Sequence, residues 1–163
     1  MTLTQYLDYA RDVMQPTETL FQLVPADKIE WKPTEKSFTV GQLTNHIAGA
    51  LHVYTKGIAR GEWGFTSMRE IFVANRRTPT AAVEQALALY QTSYANFFDT
   101  LSSLTEEDFS VGEVDTPQLG KVPRWRIAML GLEHHSKHLA ELFMYLKILG
   151  VQVNTGHLYA AKK

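Results

Sequence analysis

The sequence predicts an all-α fold: a four-helix bundle made by a single domain over residues 1–163. Three observations carry this reading. Four segments repeat apolar residues every three or four positions, the period that gives a helix one apolar face. Their edges carry helix start, stop or break signals. No long stretch alternates apolar and polar residues, as a half-buried strand does.

The first segment covers roughly residues 2–24, with Leu3, Leu7, Ala10, Val13, Thr17, Leu20 and Val24 at helical spacing. Pro16 removes one backbone donor and crowds the preceding turn, so this segment is expected to kink or divide there. The second opens on Thr39-Val40-Gly41-Gln42, a capping-box pattern. Val40, Leu43, Ile47, Leu51, Tyr54 and Ile58 follow, and Gly61 supplies a stop. The third is expected to start at Thr78-Pro79, a favoured N-cap and a favoured first helical residue. Its stripe runs Val83, Leu87, Tyr90, Tyr94, Phe97, Leu101 and Leu104. The fourth runs from near Pro123 to Leu149, with Gly150 placed to close it in a left-handed conformation. Before it, residues 111–114 and 121–122 can pair as a short hairpin.

The link between the second and third helices, about fifteen to twenty residues, exceeds what antiparallel neighbours need. Such a crossover can traverse the bundle and set those two helices parallel. It holds Trp63, Phe65, Met68, Ile71 and Phe72, so it is expected to pack against the helices.

A chain of 163 residues suits one substantial core. Its 45% hydrophobic and 20% charged content is that of a globular protein. The net charge of −1 offers no basic surplus for nucleic acid or an acidic membrane surface. The adjacent basic pairs, Arg76-Arg77 and Lys162-Lys163, read as ordinary solvated sites. The absence of cysteine excludes disulfides, thiolate zinc sites, iron–sulfur clusters and a cysteine nucleophile. Any metal must then be held by histidine and oxygen. The N-terminus lacks the layout of a signal peptide, and no apolar run reaches membrane-spanning length. A cytoplasmic location is expected.

His134 and His138 lie four residues apart in the fourth segment, on one face of a helix. Gly131, Leu142, Tyr145 and Leu149 extend that face, which reads as the apolar one. His46 stands at the edge of the inward stripe of the second helix. Of the six histidines, His52 projects away from His46, and His157 lies in the tail. His135 is about a quarter-turn off the His134–His138 face, toward the rim or a neighbouring helix. His46, His134 and His138 are therefore the set able to converge.

Three neutral imidazoles make a partial shell for a first-row divalent ion and leave positions open for water or substrate. Such a shell suits zinc or nickel. The ion would lower the pKa of bound water towards about 7, activate a thiol or polarise a carbonyl. Glu141, three residues after His138, faces the same side. Orienting a ligand imidazole is its foremost role, ahead of accepting a proton or joining the metal. Tyr90, Tyr94 and Tyr145 can present hydroxyls to the same cavity, although those of the third helix read more readily as core aromatics. The histidines can equally form a buried polar network, and Glu141 can pair with Lys137 or lie at the rim. His134 is followed by His135 rather than glutamate, so the zincin motif is absent.

The stretch from Glu30-Trp31 through Pro33, Ser37-Phe38 and Val40 to Leu43, His46, Ile47 and Ala48 resembles the DinB-like superfamily. Residues His134, His138, Glu141-Leu142, Tyr145-Leu146-Lys147 and Leu149-Gly150 resemble its second signature. The resemblance implies a bundle of up-down-down-up order. It implies that His46, His134 and His138 bind nickel or zinc, and that the chain forms a homodimer. It further implies a divalent-metal-dependent enzyme acting on a small electrophilic substrate, as a hydrolase or as an S-transferase using a low-molecular-weight thiol. The alternative is a non-catalytic binding or stress-response module, with a structural metal or a metal-free histidine network. Members often carry arginine, glycine and glutamine after the last ligand, where this chain has Leu139, Ala140 and Glu141. They often carry glutamate after the first histidine of the pair, where this chain has His135. These departures alter the surroundings of the site and its pocket.

Overall fold

The first helix is anchored before it begins. The Thr2 hydroxyl accepts from the Gln5 N–H, and the Gln5 side chain accepts from the Thr2 N–H. The computed structural model describes residues 1–159, and the Lys162-Lys163 pair lies outside them. α1 spans Leu3–Met14 and α2 spans Pro16–Gln22. The division falls where Pro16 predicted it. As the first residue of α2, proline leaves no helical hydrogen bond unmade.

α3, Val40–Arg60, opens on the expected capping box. The Thr39 hydroxyl accepts from the Gln42 N–H at 3.1 Å, and the Gln42 side chain accepts from the Thr39 N–H at 2.9 Å. Gly61 closes the helix at φ 73°. Replacing Thr39 with alanine is expected to cost about 1 kcal/mol, lowering the unfolding midpoint by about 2–4 °C for a domain of this size. Thr39→Ser should restore most of the loss in a thermal melt.

The crossover contains a helix of its own, α4, Met68–Arg76, capped by the Ser67 hydroxyl. α5 begins at Val83 and runs to Ser102, later than the expected start at Thr78-Pro79. Tertiary contacts explain the delay. Gln42 Nε2 donates to the Thr78 carbonyl and Asn45 Nδ2 to the Pro79 carbonyl, both at 3.0 Å. The Ala82 N–H donates to Gln85 Oε1 instead of closing a turn onto Thr78. Residues 78–82 are thus pinned, extended, along the start of α3.

A short α6, Glu106–Ser110, precedes the hairpin. β1, Glu113–Thr116, pairs antiparallel with β2, Gly120–Pro123, setting Val114 opposite Val122. α7, Arg124–Ile148, completes the core, and Gly150 lies at φ 80° as its sequence position suggests. Among the described residues the chain is mostly helical, with this one small sheet. Among the described residues, no helix is long and apolar enough to cross a membrane.

Buried tyrosines tie the helices together without orphaning their hydroxyls. Tyr6 donates to the Ala128 carbonyl and Tyr90 to the Met14 carbonyl, both at 3.0 Å. At one end of α3, the Phe38 carbonyl lies 3.4 Å from the Tyr145 hydroxyl. At the other, the Ile58 carbonyl accepts from Arg124 Nε at 3.0 Å. Between these two fixings, α3 and α7 lie side by side.

The core face of α7 keeps Leu142 and Tyr145 of the expected one but is otherwise displaced by one residue. Its buried line takes in Ile127, Ala128, Leu132, His135, Leu139, Leu142, Phe143, Tyr145 and Leu146. His134 and His138 stand half-buried on the shoulder of that line, turned towards His46 on α3.

Candidate metal centre

His46 is fixed by the helix that Thr39 starts, and His134 and His138 by consecutive turns of α7. Each of the three histidines offers one ring nitrogen, and these nitrogens lie within 4.8 Å of one another. His46 Nε2 and His134 Nε2 are 3.3 Å apart. The ring centroids are separated by 4.6, 4.8 and 5.1 Å. Phe38 closes one side, 5.2 Å from the His46 ring, and Tyr54 lies 5.5 Å from His134.

Burial sets the charge of these rings. Loss of hydration pushes His46 down to about 4, with His138 adding to the effect. It pushes His134 down to about 3, with His138 and His46 contributing. Both rings are therefore neutral at pH 7 and keep a lone pair for a ligand.

His138 is oriented by a carboxylate. Its Nδ1 lies 2.9 Å from Glu141 Oε2. A carboxylate only accepts, so Nδ1 carries the proton in this hydrogen bond, and the neutral ring has its lone pair on Nε2. The other Glu141 oxygen accepts from the Tyr145 hydroxyl at 2.9 Å. The His138 hydrogen bond, more than any other contact, holds the Glu141 carboxyl below the usual carboxylate range. Burial, reinforced by that carboxylate, pushes Tyr145 up to about 12. Glu141 therefore lies within hydrogen-bond distance of the His138 ring. Lys137 does not pair with Glu141 and lies 3.6 Å from Glu133.

Of the three tyrosines, only Tyr145 reaches this group. Tyr90 is bonded to Met14 and stacks 6.0 Å from His135, and Tyr94 lies on a surface hollow beside Arg11. His135 takes the neighbouring-helix option. It is buried, with Nε2 2.9 Å from the Thr17 hydroxyl on α2. His52 is exposed, and the His157 ring bonds to Asn154.

Three converging imidazoles, one of them held by a carboxylate, fit a first-row divalent ion. A cavity of about 880 Å³ opens against all three histidines, and the crossover forms part of its wall through Phe65, Met68 and Phe72. Trp63 is buried beside it and donates Nε1–H to the Asp115 carbonyl at 2.7 Å. Of the crossover's large apolar residues, Trp63 alone enters the core; Phe65 and Ile71 are half-buried, while Met68 and Phe72 stay exposed, so the crossover packs only in part as expected. Phe38 was not read from the sequence as a neighbour of the site. Its place immediately before the Thr39 cap was the available signal, because a residue there commonly packs back on the first turns.

The metal-free protein is expected to lose stability as pH falls below about 6.5. His46, His134 and His135, the last also lowered to about 4 by burial, stay neutral in the fold. In the unfolded chain they protonate near 6.5, so the unfolded state binds more protons below that pH. Each such histidine removes roughly 1.4 kcal/mol per pH unit between about 6.5 and its folded value. Urea midpoints measured with chelator from pH 7.5 down to 5 check this. A flat profile would contradict buried neutral rings.

The model of the DinB family matches residues 1–160. Comparison with curated proteins gives no match. A solved DinB-like protein from Bacillus subtilis is similar in fold, with TM-score 0.73, 22% identity and coverage of 96% of this chain and 99% of that one. Another from Bacillus cereus gives TM-score 0.75 at 17% identity, over 94% of this chain and 96% of that one. A mycothiol-dependent maleylpyruvate isomerase gives TM-score 0.65 at 20% identity, covering 96% of this chain but 64% of the isomerase. Identities this low speak for the fold alone. The family match spans nearly the whole sequence and agrees with the fold of the similar structures: the chain belongs to the DinB family.

Proposed function

We propose that this chain is a divalent-metal-dependent enzyme in which His46, His134 and His138 hold nickel or zinc beside a small-molecule pocket. The observation that carries the reading is the convergence of three imidazole nitrogens within 4.8 Å. When bound, such an ion supplies Lewis acidity to a water, a thiol or a carbonyl. The chain's own residues do the rest. Glu141 keeps the His138 proton on Nδ1 and fixes the ring's direction. Phe38 and Tyr54 restrict water around the rings. The adjoining cavity receives a small electrophilic substrate. A low-molecular-weight thiol is the favoured co-substrate, supported by the thiol dependence named for the maleylpyruvate isomerase of similar fold. The reaction class is S-transfer or hydrolysis.

The scaffold reading is one domain, a four-helix bundle of up-down-down-up order. Support comes from the paired contacts of Tyr6 with Ala128, Thr17 with His135, and Phe38 and Ile58 with Tyr145 and Arg124. They set α7 along α1 and against α3, while Thr78 and Pro79 bring the start of α5 to the start of α3. A homodimer, on the family resemblance, and a cytoplasmic location, on the sequence pattern, complete the reading.

A second reading has its own observation. The 3.3 Å His46–His134 contact pairs one nitrogen of each ring as a hydrogen bond without an ion, as a metal-free binding or stress-response module would have it. A structural metal closed by Glu141 is less favoured, because both Glu141 oxygens are committed to His138 and Tyr145. Elemental analysis of untagged protein separates the readings. Near-stoichiometric nickel or zinc is expected, followed by activity in thiol-transfer or hydrolysis screens. Metal-free protein that gains no thermal stability from any added dication overturns the metalloenzyme reading.

A further inference from the structure

Gly49 has no packing reason to be glycine. Three other helical glycines do. A Cβ at Gly41 would lie 2.7 Å from the Ala81 carbonyl oxygen, at Gly57 2.3 Å from the Trp63 ring, and at Gly131 3.0 Å from the Tyr54 ring. At Gly49 a Cβ would meet nothing within 4 Å. Its φ is not among the positive values that favour glycine. A glycine inside a helix costs about 0.5–1 kcal/mol relative to alanine. The fold gains nothing here to offset that cost.

What the bare Cα faces is the cavity beside the three histidines. Gly49 follows His46 by three residues, so it lies on the same face of α3, about one turn along. Ala50 continues that floor, and the crossover contributes Phe65, Met68 and Phe72 to the same cavity. At about 880 Å³ the space falls within the range that accommodates drug-sized ligands. Besides the histidines, Lys137 is the only formally charged residue among the described lining residues. It is largely exposed and already lies 3.6 Å from Glu133. A phosphate or polycarboxylate ligand is normally gripped by several convergent charged donors, whereas the polar lining residues Asn45, Asn75, Thr78 and Gln118 are uncharged.

We propose that the cavity takes a flat, largely apolar ligand, an aromatic electrophile. Its ring lies on the exposed backbone face at Gly49, its reacting end lies at the three histidines, and Gly49 sets this preference. The proposal rests on the metal-site reading for the reacting end, and the placement of the ring is testable apart from it. A side chain at position 49 would occupy the ring's volume while leaving the histidines and the core contacts of α3 in place.

The test titrates 1-naphthol into the wild-type protein and Gly49→Leu by calorimetry, with glucose 6-phosphate as the polar anionic counterpart. Zinc chloride is titrated into each protein separately. The expected result is 1-naphthol binding to wild type that weakens at least tenfold in Gly49→Leu, with equal zinc binding. Gly49→Leu should unfold at the same or a higher temperature, and glucose 6-phosphate should bind neither protein. Ala50→Leu, on the same face, should weaken 1-naphthol as well and serves if Gly49→Leu does not fold. Equal 1-naphthol affinity in wild type and variants, no 1-naphthol binding to wild type, or a preference for glucose 6-phosphate would overturn the proposal. Absence of zinc binding with the 1-naphthol pattern intact would overturn the metal reading while supporting the ring's placement.

Discussion

His134→Ala is expected to lose its metal while keeping its fold. The substitution removes one of three converging nitrogens and leaves His46 and His138 too few donors to retain an ion through purification. His134 is only half-buried on the shoulder of α7, so shortening it leaves the buried line of that helix intact. Metal per chain, measured by elemental analysis, should fall from near one to background. Thermal melts give an independent reading. An ion at a hundred times its dissociation constant stabilises wild type by about 2.7 kcal/mol, which is about 5–11 °C for a domain of this size. His134→Ala should gain none of this. Glu141→Gln should behave differently, because it keeps the three nitrogens and weakens only the orientation of His138. A loss of about 10–100-fold in metal affinity, with stoichiometry recoverable at higher metal, is expected there. Equal metal content in wild type and His134→Ala would place the ion elsewhere and remove the basis of the proposed chemistry.

Gly57→Ala is expected to destabilise the protein although alanine is the better helix former. The new methyl would lie 2.3 Å from the Trp63 ring. That indole cannot yield freely, being buried, edge-packed on Tyr54 and hydrogen-bonded to the Asp115 carbonyl. Overpacking of this kind costs about 1–3 kcal/mol, against about 1 kcal/mol returned by helix propensity. The net loss should appear as a midpoint lower by up to several degrees. Gly49→Ala, two turns earlier on the same helix, should instead raise the midpoint, because its methyl meets nothing. Opposite signs for one substitution at two positions of α3 are the expected result in paired melts. A stabilised Gly57→Ala would mean that Trp63 is not held where it is described.

Much of the candidate site's geometry was legible in the sequence. The four-residue spacing of His134 and His138 and the cap that starts the helix of His46 are local features, fixed by helix geometry and by neighbouring hydrogen bonds. Glu141 followed from the same arithmetic. The core face of α7 was read correctly at Leu142 and Tyr145 but misjudged at the histidines, because His134, His135 and His138 look alike in a periodicity count. Only the neighbour on α2 decides which ring is buried, and Thr17 takes His135. The start of α5 was misplaced for a related reason. Thr78-Pro79 has a good local start signal, but its carbonyls are taken by Gln42 and Asn45, more than thirty residues away.

The sequence by itself determined where most of the helices run, where α3 begins and ends, and which histidines share a face of α7. These depend on interactions within a few residues of one another, so spacing and capping chemistry suffice to read them. The tertiary structure decided that His46 meets His134 and His138, that α4 walls a cavity beside them, and which glycines face neighbours or open space. Those outcomes depend on how distant helices pack and on which side chains compete for the same volume, and the order of residues along a chain does not record that.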